Sequence, residues 1–285
     1  MLGLDDIRFR DILVRAIGQD RSGIAAEAFH GPASVSVRIN PFKVDDPERF
    51  ALEHFGGDVQ RVPWSPFGFM IGERPKFTLD PLFHCGCYYV QDSSAMAVGC
   101  VFRDVLARFG ECKRPLRVLD LCAAPGGKST DMAASLRKTF GDNFILVSNE
   151  VMRSRVSVLA DNMAVWGDPN VVITSVDPKA FATLEGFFDV IVADVPCSGE
   201  GMFRKDAKAV RDWSEGVVNL CSARQKRILA DVWPSLRRGG ALVYSTCTFE
   251  EAENDDVLEW AADELGGAIY EYPYATLPGV VAMRT

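Results

Sequence analysis

Residues 118–130 read VLDLCAAPGGKST, and this stretch decides the fold. An apolar run ends at Leu121, the turn Pro125-Gly126-Gly127 follows, and a helix-like segment continues from Lys128 to Lys138. The order of strand, glycine turn and helix is typical of the first βα unit of a nucleotide-binding α/β domain. Glycine lets the backbone approach a ligand that a Cβ would keep away, and a helix start supplies free N–H groups. The stretch therefore predicts a ligand-binding turn at the end of a parallel strand.

Two better-known nucleotide-binding motifs do not match this turn. A P-loop requires a glycine five residues before Gly127, and Cys122 occupies that position. The G-x-G-x-x-G fingerprint of dinucleotide-binding folds is absent from the chain. A nucleoside triphosphatase is therefore the least supported function class, and a glycine turn that binds no ligand is the plain structural alternative.

Composition indicates an ordinary globular chain. Its 285 residues are 48% hydrophobic and 25% charged, with a formal net charge of −8. That charge argues against non-specific nucleic-acid binding through the overall field, although it leaves room for a local basic face. No apolar run approaches the ~20 residues of a membrane helix, and the first residues lack a signal-peptide pattern. We therefore expect a cytoplasmic protein with no membrane partner.

The cysteines and histidines do not form a metal-binding pattern. The eight cysteines contain no C-x-x-C pair, and the three histidines suggest neither a triad nor a metal set. No metal is therefore expected, and most of the cysteines should be thiols.

Residues 1–80 are predicted to form a small α+β domain. Ile7–Ile17 has helical periodicity, Ser34–Ile39 alternates as a strand does, and Arg49–Phe55 reads as a short helix. The Gly/Pro-rich stretch Pro66–Pro81 is the best candidate boundary, so residues 81–285 are predicted to form the second domain.

Beyond the glycine turn, strands and helices alternate. The predicted strands are Asn143–Ser148, Val171–Ser175, Phe188–Val195 and Ala241–Ser245, and the predicted helices are Arg153–Val165 and Ala223–Ser235. Apolar strands joined by helices predict a parallel sheet covered on both faces. With the strand order 3-2-1-4-5, ligands would bind at the carboxyl ends of the strands, where the order reverses.

Polar residues follow these strands. Glu150 comes after the second strand and suits ribose hydroxyls, while Asp177 comes after the third and could accept from an adenine amine. One half of the predicted cleft therefore fits an adenosine-type cofactor. The other half holds Asp194, Cys197 and Cys247. A single cysteine at a strand end is ordinarily a core residue, but two in polar turns of one cleft indicate reactive thiols.

At these residues the sequence resembles the RNA cytosine-5 methyltransferases of the NOL/NOP/Sun family. The glycine turn is similar to the family's S-adenosylmethionine motif. DVPCSGEGMFRKD (194–206) resembles the fourth motif, and YSTCT followed by EEAEN (244–254) resembles the sixth. SVRIN (36–40) and YVQDSSA (89–95) are similar to the N-terminal motifs. The form EGMFRKD is most like the bacterial group that modifies small-subunit ribosomal RNA (RsmF-like), and members acting on transfer RNA share most of the rest.

The resemblance implies a Rossmann-like α/β methyltransferase domain preceded by a small α+β domain that positions RNA. It implies a thiolate attack on cytosine C6 by Cys247, release assisted by Cys197, and a hydrogen bond from the cytosine edge to Asp194. The exchange of the two cysteine roles is the mechanistic alternative. The cofactor-binding positions that match the family are Cys122, Ala123, Ala124, Pro125, Gly126, Gly127, Lys128, Glu150, Asp177 and Asp194, with Arg155 as a further candidate.

The predicted RNA contacts follow the fourth motif. They are the basic residues Arg204, Lys205, Lys208 and Arg211, for which a solvated helix face is the alternative. Members of the bacterial ribosomal group usually continue into a further RNA-binding module, whereas this sequence stops at Thr285. A methyltransferase-fold RNA-binding protein without full activity is therefore an alternative, as is a transfer-RNA methyltransferase. A small-molecule methyltransferase would need neither the paired thiols nor the basic residues. We expect a monomer.

Overall fold

The computed structural model describes residues 7–110 and 113–270. These residues fall into two compact units. We call Ser34–Asp194 together with Ser235–Val243 the sheet unit. The helical unit comprises the described residues of 7–33, Val195–Pro234 and 244–270. No helix in the described ranges is both long enough and apolar enough to span a membrane.

A five-stranded sheet forms the centre of the sheet unit. Its strands are β5 (Leu116–Asp120), β6 (Phe144–Asn149), β7 (Val171–Thr174), β8 (Phe188–Asp194) and β9 (Leu236–Ser245). The order β7-β6-β5-β8-β9 is the order 3-2-1-4-5 that was assumed in placing the ligand site. Strand β5 pairs in parallel with both β6 and β8, so that Val118 lies between Leu146 and Val190. The carboxyl end of β5 therefore lies at the centre of the sheet, where the strand order reverses.

Three helices of the sheet unit supply apolar side chains to its core. They are α5 (Ala97–Ala107), α6 (Gly127–Phe140) and α7 (Arg153–Trp166). Phe102, Leu136 and Leu159 from these helices are fully buried with Leu146 and Val190 of the strands. Each such side chain contributes ~1.5–3 kcal/mol when it leaves water, so this core holds the strand ends in place.

A second sheet lies earlier in the chain, within the same unit. Its strands are β1 (Val35–Ile39), β2 (Gln60–Arg61), β3 (Gly68–Ile71) and β4 (Tyr88–Val90), and the helices α3 (Pro47–Phe55) and α4 (Pro81–His84) accompany them. All its strand pairs are antiparallel, in the order β2-β3-β1-β4. Because β4 follows residue 80 and pairs with β1, the sheet extends past the predicted domain boundary.

The helical unit contains five helices within the described residues. They are α1 (Ile7–Ile17), α2 (Gln19–His30), α8 (Ala207–Asp212), α9 (Glu215–Val232) and α10 (Asp255–Leu265). Phe9, Leu13, Phe203 and Trp213 are buried together in its core. The first 33 residues thus belong to a different unit from the second sheet, although sequence analysis placed both in one domain of residues 1–80.

Several element boundaries differ from the predictions. Helix α9 begins at Glu215 rather than Ala223, because the Ser214 side chain accepts a hydrogen bond from Val217 N and caps the helix there. Strand β9 begins at Leu236 rather than Ala241, so its two glycines lie inside the strand. Helices α2 and α10 were not predicted.

Candidate functional site

The glycine turn lies between β5 and α6, and backbone hydrogen bonds hold it from both sides. Leu121 N donates to Val192 O at 2.9 Å, and Ala123 N donates to Asn149 O at 2.8 Å. Gly126 has φ 111°, a value that side-chain-bearing residues rarely adopt. A Cβ at Gly126 would also lie 3.3 Å from Leu159. The turn is therefore a preformed backbone cradle, in which glycine is required at residue 126.

Asp120 is the last residue of β5, and it is fully buried. Its Oδ2 accepts a hydrogen bond from Ser129 Oγ at 2.6 Å, whereas its Oδ1 has no hydrogen-bond partner. Burial raises the pKa of Asp120 to about 7. The site thus contains a buried carboxyl oxygen that can still accept a hydrogen bond.

Lys128 and Asp194 form an ion pair beside the turn. Lys128 Nζ lies 2.8 Å from Asp194 Oδ2, and the two side chains are only 21% and 31% exposed. Lys128 belongs to the first turn of α6, and Asp194 is the last residue of β8. The parallel pairing of β5 with β8 brings these two segments together.

Glu150 and Arg155 lie on the other side of the turn. Glu150 is buried and accepts from Met152 N at 2.9 Å through Oε1, while Oε2 accepts no aligned hydrogen bond. Arg155 Nη1 is 3.2 Å from that Oε2, and Arg155 Nη2 donates to Ala124 O. Arg155 therefore links Glu150 to the glycine turn, although its side chain is 46% exposed.

Asp177 has a local structural partner. Its exposed side chain accepts a hydrogen bond from Lys179 N at 3.1 Å and caps the 3₁₀ turn Pro178–Thr183. A role for Asp177 in binding an adenine amine stays a prediction.

Arg38 is a residue of this region that sequence analysis missed. It is fully buried, and its Nε donates to Gln91 Oε1 at 2.8 Å. Its Nη2 donates to Gly127 O at 3.0 Å and to Thr130 Oγ1, at the start of α6. The second sheet therefore supports the glycine turn directly. The available signal was a charged residue inside the alternating strand SVSVRI.

The helical unit contains the two motif cysteines. Cys197 Sγ and Cys247 Sγ are 3.2 Å apart, and Cys247 N lies 3.3 Å from Cys197 Sγ. Both are reduced thiols, and Cys247 is exposed whereas Cys197 is half-buried. The hydrogen bond with Cys247, together with burial, raises the pKa of Cys197 well above its ordinary value. The two sulfurs are close enough for one thiol to donate a hydrogen bond to the other, and either sulfur can be the donor.

Close backbone contacts set the position of the Cys247 loop. Gly201 N donates to Cys247 O at 2.8 Å, and Val195 N donates to Ser245 O at 3.1 Å. A Cβ at Gly201 would lie 2.8 Å from Cys247 O, so a side chain there would displace the loop. The sequence segments around the two cysteines are thus held together by main-chain geometry.

The basic residues 204–211 do not form one uniform face. Arg204 Nη1 donates to Ala28 O at 3.4 Å, and the pKa of Lys205 is lowered by burial while Cys247 acts in the opposite direction. Lys208 and Arg211 are exposed on α8. Their contact with RNA stays a prediction.

Within the described ranges, no group of three or more histidine, cysteine, aspartate or glutamate side chains could hold a metal ion. The unit boundary also divides the predicted site residues. Asp120, Lys128, Glu150, Asp177 and Asp194 belong to the sheet unit, whereas Cys197 and Cys247 belong to the helical unit.

Two family models match the chain. The model described as 16S rRNA methyltransferase RsmB/F matches residues 111–264. The model described as the N-terminal domain of 16S rRNA methyltransferase RsmF matches residues 14–93. The ribosomal RNA small subunit methyltransferase F of Salmonella paratyphi A is 36% identical over 253 residues, which are 86% of this chain and 50% of that protein. The chain therefore spans about half the length of the curated relatives it matches.

Solved structures from Pyrococcus horikoshii have a similar fold. A methyltransferase homolog protein is 28% identical with a TM-score of 0.74, and the match covers 92% of this chain and 80% of that one. NSun6 solved with SFG is 17% identical with a TM-score of 0.70, and the match covers 90% and 86% of the two chains. The second likeness supports the fold alone. The family resemblance and the fold class predicted from the sequence are both confirmed.

Proposed function

The chain belongs to the RsmB/F family of 16S rRNA methyltransferases, and we propose that it methylates C5 of a cytosine in RNA, with S-adenosylmethionine as the methyl donor. Small-subunit ribosomal RNA is the favoured substrate, because the family model and the bacterial relatives carry that description. The observation that carries the proposal is the 3.2 Å separation of Cys197 Sγ and Cys247 Sγ. Cytosine-5 methylation through a covalent adduct needs a nucleophile and a base at one carbon–carbon bond.

The residues of the glycine turn fit the cofactor. S-adenosylmethionine supplies an electrophilic methyl group on a sulfonium, together with ribose hydroxyls and an ammonium group. Asp120 Oδ1 is buried without a hydrogen-bond partner, and the buried Glu150 Oε2 has Arg155 Nη1 beside it at 3.2 Å without an aligned hydrogen bond. An unpaired buried acceptor is costly, so a ligand that carries donors and positive charge would satisfy Asp120 and add a hydrogen bond to Glu150. Glu150 would accept from the ribose, and Asp177 from the adenine amine.

Cys247 would act as the nucleophile. Its exposed sulfur lies 3.2 Å from that of Cys197, and a hydrogen bond donated by the Cys197 thiol would stabilise a thiolate on Cys247. Bonding of that thiolate to C6 of the flipped cytosine makes C5 electron-rich enough to take the methyl group. Asp194 would hydrogen-bond the cytosine edge.

Cys197 would act in the second half of the reaction. Once Cys247 is bonded to carbon, its sulfur no longer accepts the Cys197 hydrogen, and Cys197 can lose that proton to solvent. The Cys197 thiolate then takes the C5 proton, the C5–C6 double bond forms again, and Cys247 leaves as a thiolate.

The test is the transfer of labelled methyl from S-adenosylmethionine to 16S ribosomal RNA, free and in small subunits, with transfer RNA in parallel. We expect the label in 5-methylcytidine of the ribosomal RNA. Label found only in transfer RNA would assign transfer RNA, rather than ribosomal RNA, as the substrate. Cofactor binding without any label would instead favour a methyltransferase-fold RNA-binding protein.

Cysteine variants test the two assigned roles. We expect Cys197→Ala to accumulate a covalent protein–RNA adduct on a denaturing gel, since release is blocked after attack. An adduct found with Cys247→Ala alone would exchange the roles. Cys85→Ala is the control, because Cys85 is an exposed thiol of the sheet unit.

A further inference from the structure

Two buried glutamates lie beneath the cysteine loops of the helical unit, and the mechanism above uses neither. Glu200 and Glu253 are both 0% exposed. Glu200 lies three residues after Cys197, and Glu253 lies six residues after Cys247. Each glutamate therefore belongs to one of the two loops that carry a thiol.

Ser198 joins the two carboxyl groups. Ser198 Oγ lies 2.9 Å from Glu200 Oε1 and is hydrogen-bonded to Glu253 Oε1 as well. Ser198 N is 3.1 Å from Glu253 Oε2. Ser198 directly follows Cys197, so this side chain and Glu253 add a side-chain link between the two loops to the main-chain hydrogen bonds described above.

The hydrogens available in this Ser198 bridge between Glu200 and Glu253 limit the protonation states of the two glutamates. A serine hydroxyl has one hydrogen and can donate to only one of two carboxyl oxygens. Glu200 accepts from the Trp213 indole N–H and Phe249 N, and Glu253 accepts from Ser198 N and Gln225 Nε2. Because Ser198 Oγ contacts a carboxyl oxygen of each glutamate, one of the two glutamates must carry the hydrogen that points at Ser198 Oγ. With the proton on Glu253, the order is Glu253 O–H to Ser198 O–H to Glu200 carboxylate.

The surroundings of Glu253 favour its protonated form. Neither glutamate has a lysine or arginine in ion-pair contact among the residues that the structure describes. The titratable groups that interact with Glu253 include the acids Cys197, Glu200, Cys221, Tyr244 and Glu250. Burial raises the pKa of Glu253 and outweighs the lowering by its hydrogen bonds with Ser198 and Gln225. Gln225 completes the environment, because its Nε2 donates to Glu253 Oε2 at 2.7 Å and to Pro196 O at 3.0 Å.

We propose that Glu253 is a protonated positioning residue: through Ser198 and Glu200 it holds Cys197 at the distance from Cys247 that adduct release requires. The inference rests on the proposed function for its role in release, but its geometric content is independent of any RNA. Loss of the bridge removes the side-chain link that sets the position of Cys197 and leaves the residues of the cofactor turn in the sheet unit unchanged.

Disulfide trapping tests the geometry without RNA. Diamide removes one hydrogen from each thiol, the S–S bond forms, and diamide is reduced to its hydrazine. Because the two sulfurs are already 3.2 Å apart, trapping in the native protein should be rapid. The linked Cys197 and Cys247 peptides are quantified by mass spectrometry over time.

Three variants and a matched control carry the test. Glu253→Ala and Ser198→Ala should each slow trapping at least about tenfold, whereas Glu253→Gln should stay within about twofold of the native rate. A glutamine amide donates to Ser198 Oγ as the protonated acid does, and its carbonyl oxygen still accepts from Gln225. Glu251→Ala is the control, because Glu251 is an exposed glutamate of the same 3₁₀ turn. Ser198→Ala keeps the test valid if Glu253→Ala fails to fold.

Methyl transfer supplies the functional readout. Glu253→Ala should lower kcat and accumulate the protein–RNA adduct, with the RNA KM and the cofactor affinity unchanged. Native trapping rates in both alanine variants would overturn the positioning role. If Glu253→Gln slows trapping as much as Glu253→Ala does, Glu253 is not protonated in the native protein. If native protein transfers no methyl group to any RNA, the proposed function fails while the trapping result stands.

Discussion

The glycine turn and the cysteine pair hold their carboxylates in opposite ways. In the sheet unit, Asp194 pairs with Lys128 at 2.8 Å, and Glu150 lies 3.2 Å from Arg155. In the helical unit, Glu200 and Glu253 are held by neutral donors from Ser198, Trp213 and Gln225. Charged carboxylates suit a site that receives a cationic ligand. Buried carboxyl groups that are held by uncharged donors suit a site whose task is to keep two sulfurs at a set distance.

The two regions also differ in how the chain builds them. The cradle of the glycine turn comes from one short segment between β5 and α6, with backbone support from its neighbours. The cysteines lie 50 residues apart in the sequence and meet only through folding. Four substitutions or conditions separate the two regions experimentally, beginning with the largest expected effect.

Cys247→Ser should abolish methyl transfer while cofactor binding stays intact. Loss of a covalent nucleophile ordinarily lowers kcat by about 10⁴-fold or more. Cofactor affinity is measured by calorimetry and should not change, since the turn residues belong to the other unit. Cys85→Ser is the exposed-thiol control, and a Cys247→Ser variant that retains activity would remove this residue from the mechanism.

Phe9→Ala should destabilise the cysteine region. Phe9 is fully buried in the helical unit, and its ring centroid lies 5.3 Å from that of Phe203, close after Cys197 in the sequence. Removal of a buried phenylalanine side chain costs about 3–5 kcal/mol. We expect a lower urea midpoint and loss of methyl transfer before loss of cofactor binding. Phe42→Ala, at a position that is 54% exposed, should change neither.

Asp194→Asn should weaken the region of the glycine turn. The substitution removes the charge that pairs with Lys128, so we expect methyl transfer to fall by about 10²-fold, together with a loss of cofactor affinity. Asp142→Asn provides the comparison, because Asp142 is 91% exposed in its ion pair with Arg137. An unchanged cofactor affinity would limit Asp194 to the RNA side of the reaction.

The pH dependence of the free energy of unfolding should reveal the raised pKa of Asp120. The pKa of Asp120 is about 7 in the folded protein, and its ordinary value is 3.8. Between pH 3.8 and about pH 7 the folded protein therefore keeps a proton that the unfolded chain has lost. The free energy of unfolding should therefore fall by about 2 kcal/mol as the pH rises from about 5 to 7. This loss should be absent in Asp120→Asn. Denaturant unfolding at several pH values measures the difference, and parallel curves would contradict the raised pKa.

The resemblance to a family rested on local motifs, and local motifs survive folding largely unchanged. The glycine turn and the limits of α1 follow from residues that are close in sequence. The domain organisation of the N-terminal region was harder to predict, since residues 7–33 and β1–β4 belong to different compact units although they are neighbours in the chain. Periodicity reports which face of an element is apolar, and it does not report which element covers that face.

The amino-acid sequence by itself determined the parallel sheet, the glycine cradle and the presence of two motif cysteines. Each depends on alternation, turn chemistry or motif spacing within a short segment. Only the tertiary structure decided that Arg38 supports Gly127, and that Ser198 joins Glu200 to Glu253. A buried polar residue is stable only with partners that satisfy it. Because those partners come from distant segments, their identity emerges when the chain has folded.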